Sequence, residues 1–171
     1  MPFTTGILVG VGETRRDRAE SLLVIKQLHE QYGHLQDVII QNVVPNDRSQ
    51  FDQPSVETMH RVTPMARSVL PADVEVQVPP SLLPVDELLD CGVGDLGGVS
   101  PITDDHINPD YEWPELRYLE EFAANTDKEL VERLPVYERY LDAETPTVDE
   151  SGRNQWVSDS GQRAITAADR C

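Results

Sequence analysis

The sequence has few lysines and few aromatic residues, and it has no long apolar segment. Lys26 and Lys128 are its only lysines, and 31 acidic residues stand against 14 lysines and arginines. Because nucleic-acid binding needs clustered cations, this balance argues against a nucleic-acid partner. The sequence contains neither an unbroken apolar run of about 18 residues nor a charged and apolar signal segment, so we expect a cytoplasmic protein without membrane contact.

Cysteine is also scarce. Cys91 and Cys171 are the only two, and they lie far apart without paired spacing. They cannot form a disulfide framework or a zinc site, both of which need grouped ligands. The four histidines lack metal-ligand spacing too, and surface or helix-capping roles are expected for His29, His34, His60 and His106. The sequence therefore predicts no metal site.

The shortage of lysine accompanies a strong acidic excess, with a net charge of −17. A surface rich in carboxylates but poor in lysine is typical of a protein that works in concentrated salt, where self-repulsion is screened. We therefore predict a halophilic protein, as in a halophilic archaeon. The alternative is an ordinary acidic cytosolic protein, which would fold fully in dilute buffer.

Apolar segments of strand length alternate with segments of helical period, a pattern typical of βα units around a parallel sheet. Four units are expected, with strands at 4–9, 37–43, 74–78 and 93–98 and helices at 14–33, 55–70, 84–91 and 114–123. The 171 residues fall short of the roughly 250 typical of an eight-stranded barrel. The expected fold class is therefore α/β, with about four βα units equal to half a (β/α) barrel, followed by C-terminal helices and a mobile tail.

Local signals predict where several helices begin and end. Thr14 and Asp17 are expected to cap the first helix, which ends at Gly33. Its predicted buried stripe comprises Ala19, Leu22, Leu23, Ile25, Leu28 and Tyr32. Gly92 is expected to stop the third helix.

Three further expectations concern the later segments. Pro64 should kink the second helix, which Ser55 caps, or restart it with Thr63 as a new cap. Thr126 and Glu129 form a capping-box pattern for a short helix toward residue 134. The barrel half is expected to occupy residues 1–142, and 143–171 form a polar tail that is disordered or loosely docked through Trp156 and Val157.

Polar residues lie where each predicted strand ends and the next helix begins, in segments 10–13, 41–42, 77–80 and 95–100. Ligand contacts of α/β barrels lie at this end of the strands. The alternative is that Gln41, Asn42 and Gln77 only satisfy loop backbone. A long loop then runs to Trp113, and binding through its acidic pair at 104–105 is possible on this pattern. The acidic pairs at 86–87 and 120–121 are expected on solvated helix faces.

The first strand carries a glycine pattern formed by Gly6, Leu8, Gly10 and Glu13. A dinucleotide-binding fingerprint would need a third glycine where Arg15 stands, and no Gly-Lys-Ser/Thr phosphate loop occurs. A tight turn with a glutamate near a helix N-terminus explains Glu13, but it does not explain both glycines around Leu8. The pattern instead matches Gly-x-Ile-x-Gly-x-x-Glu, which is found on the fifth barrel strand of radical S-adenosylmethionine (SAM) enzymes.

The chain also resembles one radical SAM family over a longer stretch. Segments 2–13, 29–42, 77–80 and 98–103 resemble, in order and spacing, the C-terminal half of the G subunit of FO synthase. The resemblance covers about residues 2–141. It implies a (β/α) barrel enzyme that uses SAM and a 4Fe-4S cluster to generate a 5'-deoxyadenosyl radical. This radical oxidises a tyrosine-derived adduct of a ribityl-aminouracil, and ring closure with ammonia loss gives the deazaflavin FO.

The same resemblance implies roles for individual residues. Cofactor-binding positions are expected at Gly6, Leu8, Gly10, Glu13 and Asn42, with the backbone near Leu8 against the adenine. Substrate-binding positions are expected at Gln77, Asp95, Gly98 and Ser100. Asp95, Gly97, Gly98 and Ser100 match an Asn-Asp-Trp-Gly-Gly-x-Ser-Pro segment, in which Gly94 and Leu96 replace Asn and Trp. The resemblance identifies no catalytic residue.

Cofactor and partner expectations follow from the same family pattern. The three cysteines of its Cys-x-x-x-Cys-x-x-Cys cluster motif have no counterpart in this chain, so we expect a truncated enzyme that is inactive alone. The companion H subunit would supply the substrate adduct. One alternative is a split-barrel binding subunit that docks onto a partner chain carrying the cluster. Another is a cluster-free small-molecule binding module.

Overall fold

The computed structural model describes residues 2–46, 50–100, 102–104, 108, 110–114, 116–141, 158, 160, 161 and 163. These residues form an α/β structure with a three-stranded parallel sheet. The elements, in chain order, are β1 (Phe3–Val9), α1 (Arg15–Tyr32), β2 (Leu35–Asn42), α2 (Val56–Val69), β3 (Glu75–Gln77), two short 3₁₀ helices (Val85–Glu87 and Leu89–Cys91), α3 (Leu116–Ala124) and a last 3₁₀ helix (Glu138–Tyr140).

The chain divides into two compact units. Residues 4–130 form the larger one, which contains most of the sheet and all three α-helices. The described residues among 1–3 and 131–171 belong to the smaller one, in which the Arg133 guanidinium lies 4.4 Å from the Tyr137 ring centre. The predicted tail and its docking residues Trp156 and Val157 lie almost wholly outside the described residues, so the predicted boundary at 142 stays a prediction.

The sheet has the order β1-β2-β3. Strands β2 and β3 run parallel, with Asp37 opposite Glu75 and Ile39 opposite Gln77. A core of apolar side chains packs where the strands meet the helices, and it includes Leu22, Val38, Ile40, Met59, Val62, Val76 and Val78. None of the helices in the described part of the chain combines the length and the apolar character that crossing a membrane requires.

The predicted fourth strand at 93–98 is reduced to one parallel bridge between Gln77 and Asp95. Val78 N–H donates to the Asp95 carbonyl at 3.1 Å, but the segment makes no longer ladder. Three glycines contribute no side-chain packing here, and Gly97 has a φ of +70°, which ends the extended backbone. The prediction of four complete βα units is therefore not confirmed, although three strands agree with half a barrel.

Helix α1 confirms the predicted cap but corrects the predicted stripe. Thr14 and Asp17 form a capping box, and Gly33 ends the helix in the left-handed conformation. Leu22 is buried, whereas Leu23, Leu28 and Tyr32 are 46%, 45% and 52% exposed. Among the elements of the described residues, α1 makes its most extensive contacts with α2. The stripe prediction assumed a wider covered face.

Helix α2 begins after its predicted cap Ser55 and runs through Pro64 without interruption. The alternative of a restart at Thr63 is therefore wrong, and Thr63 lies buried inside the helix. Arg67 closes the end of the helix: its guanidinium donates to the carbonyls of Val74 at 2.7 Å and Leu70 at 3.1 Å, and also to that of Pro71. This clamp connects α2 to the start of β3.

Two later helix predictions need correction. The helix expected at 84–91 is a pair of 3₁₀ turns, although Gly92 ends it as predicted with a φ of +87°. The helix expected after Thr126 is absent from residues 128–134. Thr126 Oγ1 instead donates to the Ala123 carbonyl at 2.9 Å and accepts from Lys128 N–H at 3.2 Å. Its hydroxyl therefore closes the end of α3 rather than beginning a new helix.

Candidate functional site

The turn between β1 and α1 is closed by one carboxylate. Gly10 N–H donates to Glu13 Oε1 at 2.9 Å and to Oε2 at 3.1 Å, and Val11 N–H donates to Oε2 at 2.7 Å. Arg18 Nε donates to Oε1 at 2.6 Å from the first turns of α1. Gly10 and Gly12 have φ values of +99° and +96°, which only glycine adopts readily. Glu13 thus fixes the backbone of the turn that follows β1.

The electrostatics of this turn keep Glu13 ionised. Burial acts to raise the pKa of Glu13, but hydrogen bonds from Gly10 N–H, the Arg18 guanidinium and Val11 N–H outweigh it, so the pKa lies below its ordinary value of 4.5. The Arg18 and Glu13 side chains are only 15% and 16% exposed. Their ion pair is therefore shielded from solvent more than the other pairs on α1.

Gly6 of β1 lies close to the backbone of β2. A Cβ atom on Gly6 would come within 2.4 Å of the Ile39 carbonyl oxygen, a distance that no real side chain tolerates. Next to it is an open groove of about 320 Å³, lined by Thr4, Thr5, Gly6, Ile7, Leu8, Ile39 and Gln41. Leu8 is 44% exposed and offers an apolar surface there. Gly6 and Leu8 of the glycine pattern therefore line one concave surface, and Gly10 is not among its lining residues.

Asn42 ends β2 and is fully buried. Its amide nitrogen donates to the Val43 carbonyl at 3.4 Å, whereas its Oδ1 finds no hydrogen-bond partner among the described residues. Val43 N–H donates to the Val9 carbonyl at 2.8 Å, which joins the ends of β1 and β2. Asn42 therefore lies beside the turn that Glu13 closes, with a buried acceptor oxygen.

The residues predicted to face the substrate form a less unified group. The bridge brings Gln77 and Asp95 together, and Asp95 Oδ1 accepts from Gly97 N–H at 3.0 Å, so this carboxylate shapes its own loop. Ser100 closes a local turn in which Thr103 N–H donates to its Oγ at 3.1 Å. A Cβ on Gly98 would meet no atom within 4 Å. The site assignments for all predicted positions stay predictions.

Sequence reasoning missed two carboxylates on the same face as Gln77. Asp37 is fully buried, and Gln77 Nε2 donates to its Oδ2 at 3.4 Å. Glu75 stands opposite Asp37, and a Cβ on Gly94 would lie 2.1 Å from Glu75 Oε2, so the missing side chain at 94 makes room for this carboxylate. The signal available in the sequence was an acidic residue inside an otherwise apolar strand.

The described residues contain no group of three or more His, Cys, Asp or Glu side chains that could hold a metal ion. His29 is buried at the end of α1, where its Nδ1 accepts from Leu35 N–H at 3.3 Å and its Nε2 lies 3.0 Å from Asp73 Oδ2. This is the capping role that the sequence suggested. His60 and Asp104 are exposed, while Asp105 and His106 lie outside the described residues.

Comparisons with known proteins connect this geometry to a family. No family model matches the chain. The chain is 59% identical over 170 residues to the 7,8-didemethyl-8-hydroxy-5-deazariboflavin synthase of Halobacterium salinarum, covering 99% of this chain and 45% of that protein. The synthase of Haloarcula marismortui is 52% identical over the same length, with 46% of it covered, and that of Methanoculleus marisnigri is 48% identical over 145 residues.

The chain spans about half the length of the curated relatives it matches. The matched region is the C-terminal half of these proteins. Identity at this level over nearly the whole chain reflects common ancestry and a common fold. The chain is thus homologous, from end to end, to the C-terminal half of the 7,8-didemethyl-8-hydroxy-5-deazariboflavin synthases.

Proposed function

We propose that this chain forms the C-terminal portion of a radical SAM synthase that makes the deazaflavin FO. The reaction would cyclise a tyrosine-derived adduct of a ribityl-aminouracil with loss of ammonia, and a companion H subunit would supply the adduct. The observation that carries the proposal is the 59% identity over 99% of the chain to a protein named for this product.

SAM fits the residues around β1. Gly6 has no side chain to block the groove, and exposed Leu8 offers an apolar surface for an adenine. The turn held by Glu13 would limit how far the nucleoside can extend. Asn42 would offer its buried side-chain oxygen Oδ1 to a hydrogen-bond donor near the same turn. Bound SAM would supply the 5'-deoxyadenosyl group for hydrogen-atom abstraction, and these residues would only bind and orient it.

A 4Fe-4S cluster does not fit the described residues, which hold no suitable group of ligands. The chain has two cysteines, whereas such clusters use three or four thiolates. We therefore assign the cluster ligands to a part of the synthase outside these 171 residues. The polypeptide alone is expected to be inactive.

The test is to reconstitute the purified chain anaerobically with iron and sulfide, and then to titrate it with SAM by calorimetry. The expected result is no iron-sulfur absorbance but measurable SAM binding. Leu8→Gln should weaken SAM binding about tenfold by removing the apolar surface, equal to about 1.4 kcal/mol. Leu23→Gln is the matched control, because Leu23 is 46% exposed on α1 and Leu8 is 44% exposed in the groove.

Two results would contradict the proposal. Robust cluster formation by this polypeptide alone would refute the assignment of the ligands to another part of the synthase. Equal SAM affinities in the Leu8 and Leu23 variants would refute the groove as the nucleoside site.

A second candidate is a separate binding subunit that docks onto a partner chain carrying the cluster. The observation that favours it is the position of β1 at the edge of the sheet, together with exposed apolar residues Leu23 and Leu28 on α1. A strand edge can pair with another chain through its main-chain groups. Co-purification at a one-to-one ratio would support this role, whereas aggregation of the isolated chain would favour an incomplete barrel.

A further inference from the structure

Asp37 and Gln77 are 40 positions apart in the sequence but adjacent on one face of the sheet. The register sets Asp37 opposite Glu75 and Ile39 opposite Gln77. Side chains alternate between faces along each strand, so Asp37 and Gln77 project to the same side. The distance of 3.4 Å between Gln77 Nε2 and Asp37 Oδ2 agrees with this geometry.

The hydrogen bond between Gln77 and Asp37 sets which end of the Gln77 amide faces Asp37. Asp37 Oδ2 accepts the hydrogen bond from Gln77 Nε2, so the NH₂ end of the Gln77 amide faces Asp37 and Oε1 points the other way. A Cβ atom on Gly97 would lie 3.2 Å from Gln77 Oε1, so this oxygen faces the glycine loop after the bridge to Asp95. The acceptor therefore lies at the carboxyl end of β3, beside a loop without side-chain bulk.

Burial makes the orientation of the amide matter. Asp37 is fully buried and Gln77 is 6% exposed. In such surroundings a misdirected amide dipole is not compensated by water, so a single orientation is strongly favoured. A free glutamine side chain would present either end to a ligand with similar ease.

We propose that Asp37 is a positioning residue that fixes the Gln77 amide so that Oε1 accepts a hydrogen bond from an N–H or O–H group of the substrate. This inference rests on the proposed function, since the ring N–H groups and the hydroxyls of a ribityl-aminouracil are donors of this kind. The site would discriminate against an analogue that presents only an acceptor at the same point.

The test is a double-mutant cycle on the whole chain, with a ribityl-aminouracil as the probe in titration calorimetry. Asp37→Asn and Gln77→Ala should each weaken binding about tenfold, and the double variant should bind no more weakly than Gln77→Ala alone. A purely structural Asp37 would give additive losses, and that result would overturn the inference. Gln77→Ala also keeps the test valid if Asp37→Asn does not fold, because unchanged affinity in this variant would likewise overturn it.

A second measurement does not depend on the probe. In nuclear magnetic resonance spectra the side-chain amide protons of Gln77 should exchange with solvent more slowly in the unmodified chain than in Asp37→Asn, whereas those of exposed Gln27, the internal control, should exchange equally in both. Equal exchange rates of the Gln77 amide in the two chains would refute the orienting contact. If the unmodified chain does not bind the probe, the proposed function fails, and the amide exchange then tests only the contact between Asp37 and Gln77.

Discussion

Replacing Glu13 by alanine removes the carboxylate that accepts hydrogen bonds from the turn after β1. The carboxylate accepts from two backbone N–H groups and from Arg18, at distances of 2.6–3.1 Å. Hydrogen bonds to charged groups contribute about 1.5–3 kcal/mol each, but water can replace part of them in a half-buried turn. We therefore expect the free energy of unfolding to fall by about 2–3 kcal/mol, and by roughly half as much for Glu13→Gln, which keeps one acceptor oxygen.

The assay is urea unfolding in concentrated KCl, followed by circular dichroism. Urea is preferable to guanidinium here, because the latter would change the ionic strength along the titration. Glu20→Ala is the matched control: its ion pair with Arg16 lies on the same helix, but the two side chains are 55% and 85% exposed. Such exposed pairs contribute about 0–1 kcal/mol. Equal losses for Glu13→Ala and Glu20→Ala would refute the role assigned to the turn.

The effect of Glu13 should also depend on pH in a defined direction. Because the pKa of Glu13 is lowered in the folded chain, its contribution is fully present above the ordinary value of 4.5 and is lost as the pH falls through the lower folded value. The difference in unfolding free energy between the unmodified chain and Glu13→Gln should therefore shrink on acidification below that value. A difference that stayed constant or grew at low pH would contradict the sign of the shift.

Four other outcomes are expected. Arg67→Met should cost about 2–3 kcal/mol in urea unfolding, since it removes the donors to three carbonyls, whereas Arg61→Met on the exposed face should cost less than about 0.5 kcal/mol. Gly92→Ala should lower the melting temperature, because a Cβ there would lie 2.8 Å from Arg67 Cγ at a φ of +87°, and an unchanged value would contradict this. Thr63→Val should stabilise the fold by about 1 kcal/mol, since the buried hydroxyl has no partner among the described residues, while Thr58→Val loses a capping contact and should not stabilise it. The helical circular dichroism signal should rise between about 0.1 M and about 3 M KCl as the charge of −17 is screened, and a constant signal would favour an ordinary acidic protein.

Features determined by neighbours in the sequence were predictable. The capping box of Thr14 and Asp17, the Ser55 cap and the stop at Gly92 each depend on atoms within a few residues. Thr126 shows the limit of such local signals, because the same hydroxyl can begin a helix or close the preceding one. In the structure it donates to the Ala123 carbonyl and so closes α3.

The extent to which a helix or strand is buried by other elements was harder to predict. The periodic pattern of α1 identified Leu22 as buried but could not tell how wide the covered face is, so Leu23 and Leu28 were assigned to the core. The fourth strand had a strand-like start at Val93, but its glycines leave too little side-chain contact for a ladder. Hydrophobic periodicity therefore shows which way an element faces and leaves the extent of its contact to the tertiary structure.

In the candidate site, too, contacts between sequence neighbours were predictable and contacts between strands were not. Glu13 could be assigned to the turn from spacing alone, because its partners Gly10 and Val11 lie within three residues. The contact of Gln77 with Asp37 depends on the register of β2 against β3, and a shift of one residue would turn Gln77 to the opposite face. A family motif records that a glutamine lies at the end of the third strand but not which buried group orients its amide. The turn held by Glu13 can thus be predicted from the sequence, whereas the contact of Gln77 with Asp37 becomes apparent only once the strands are paired.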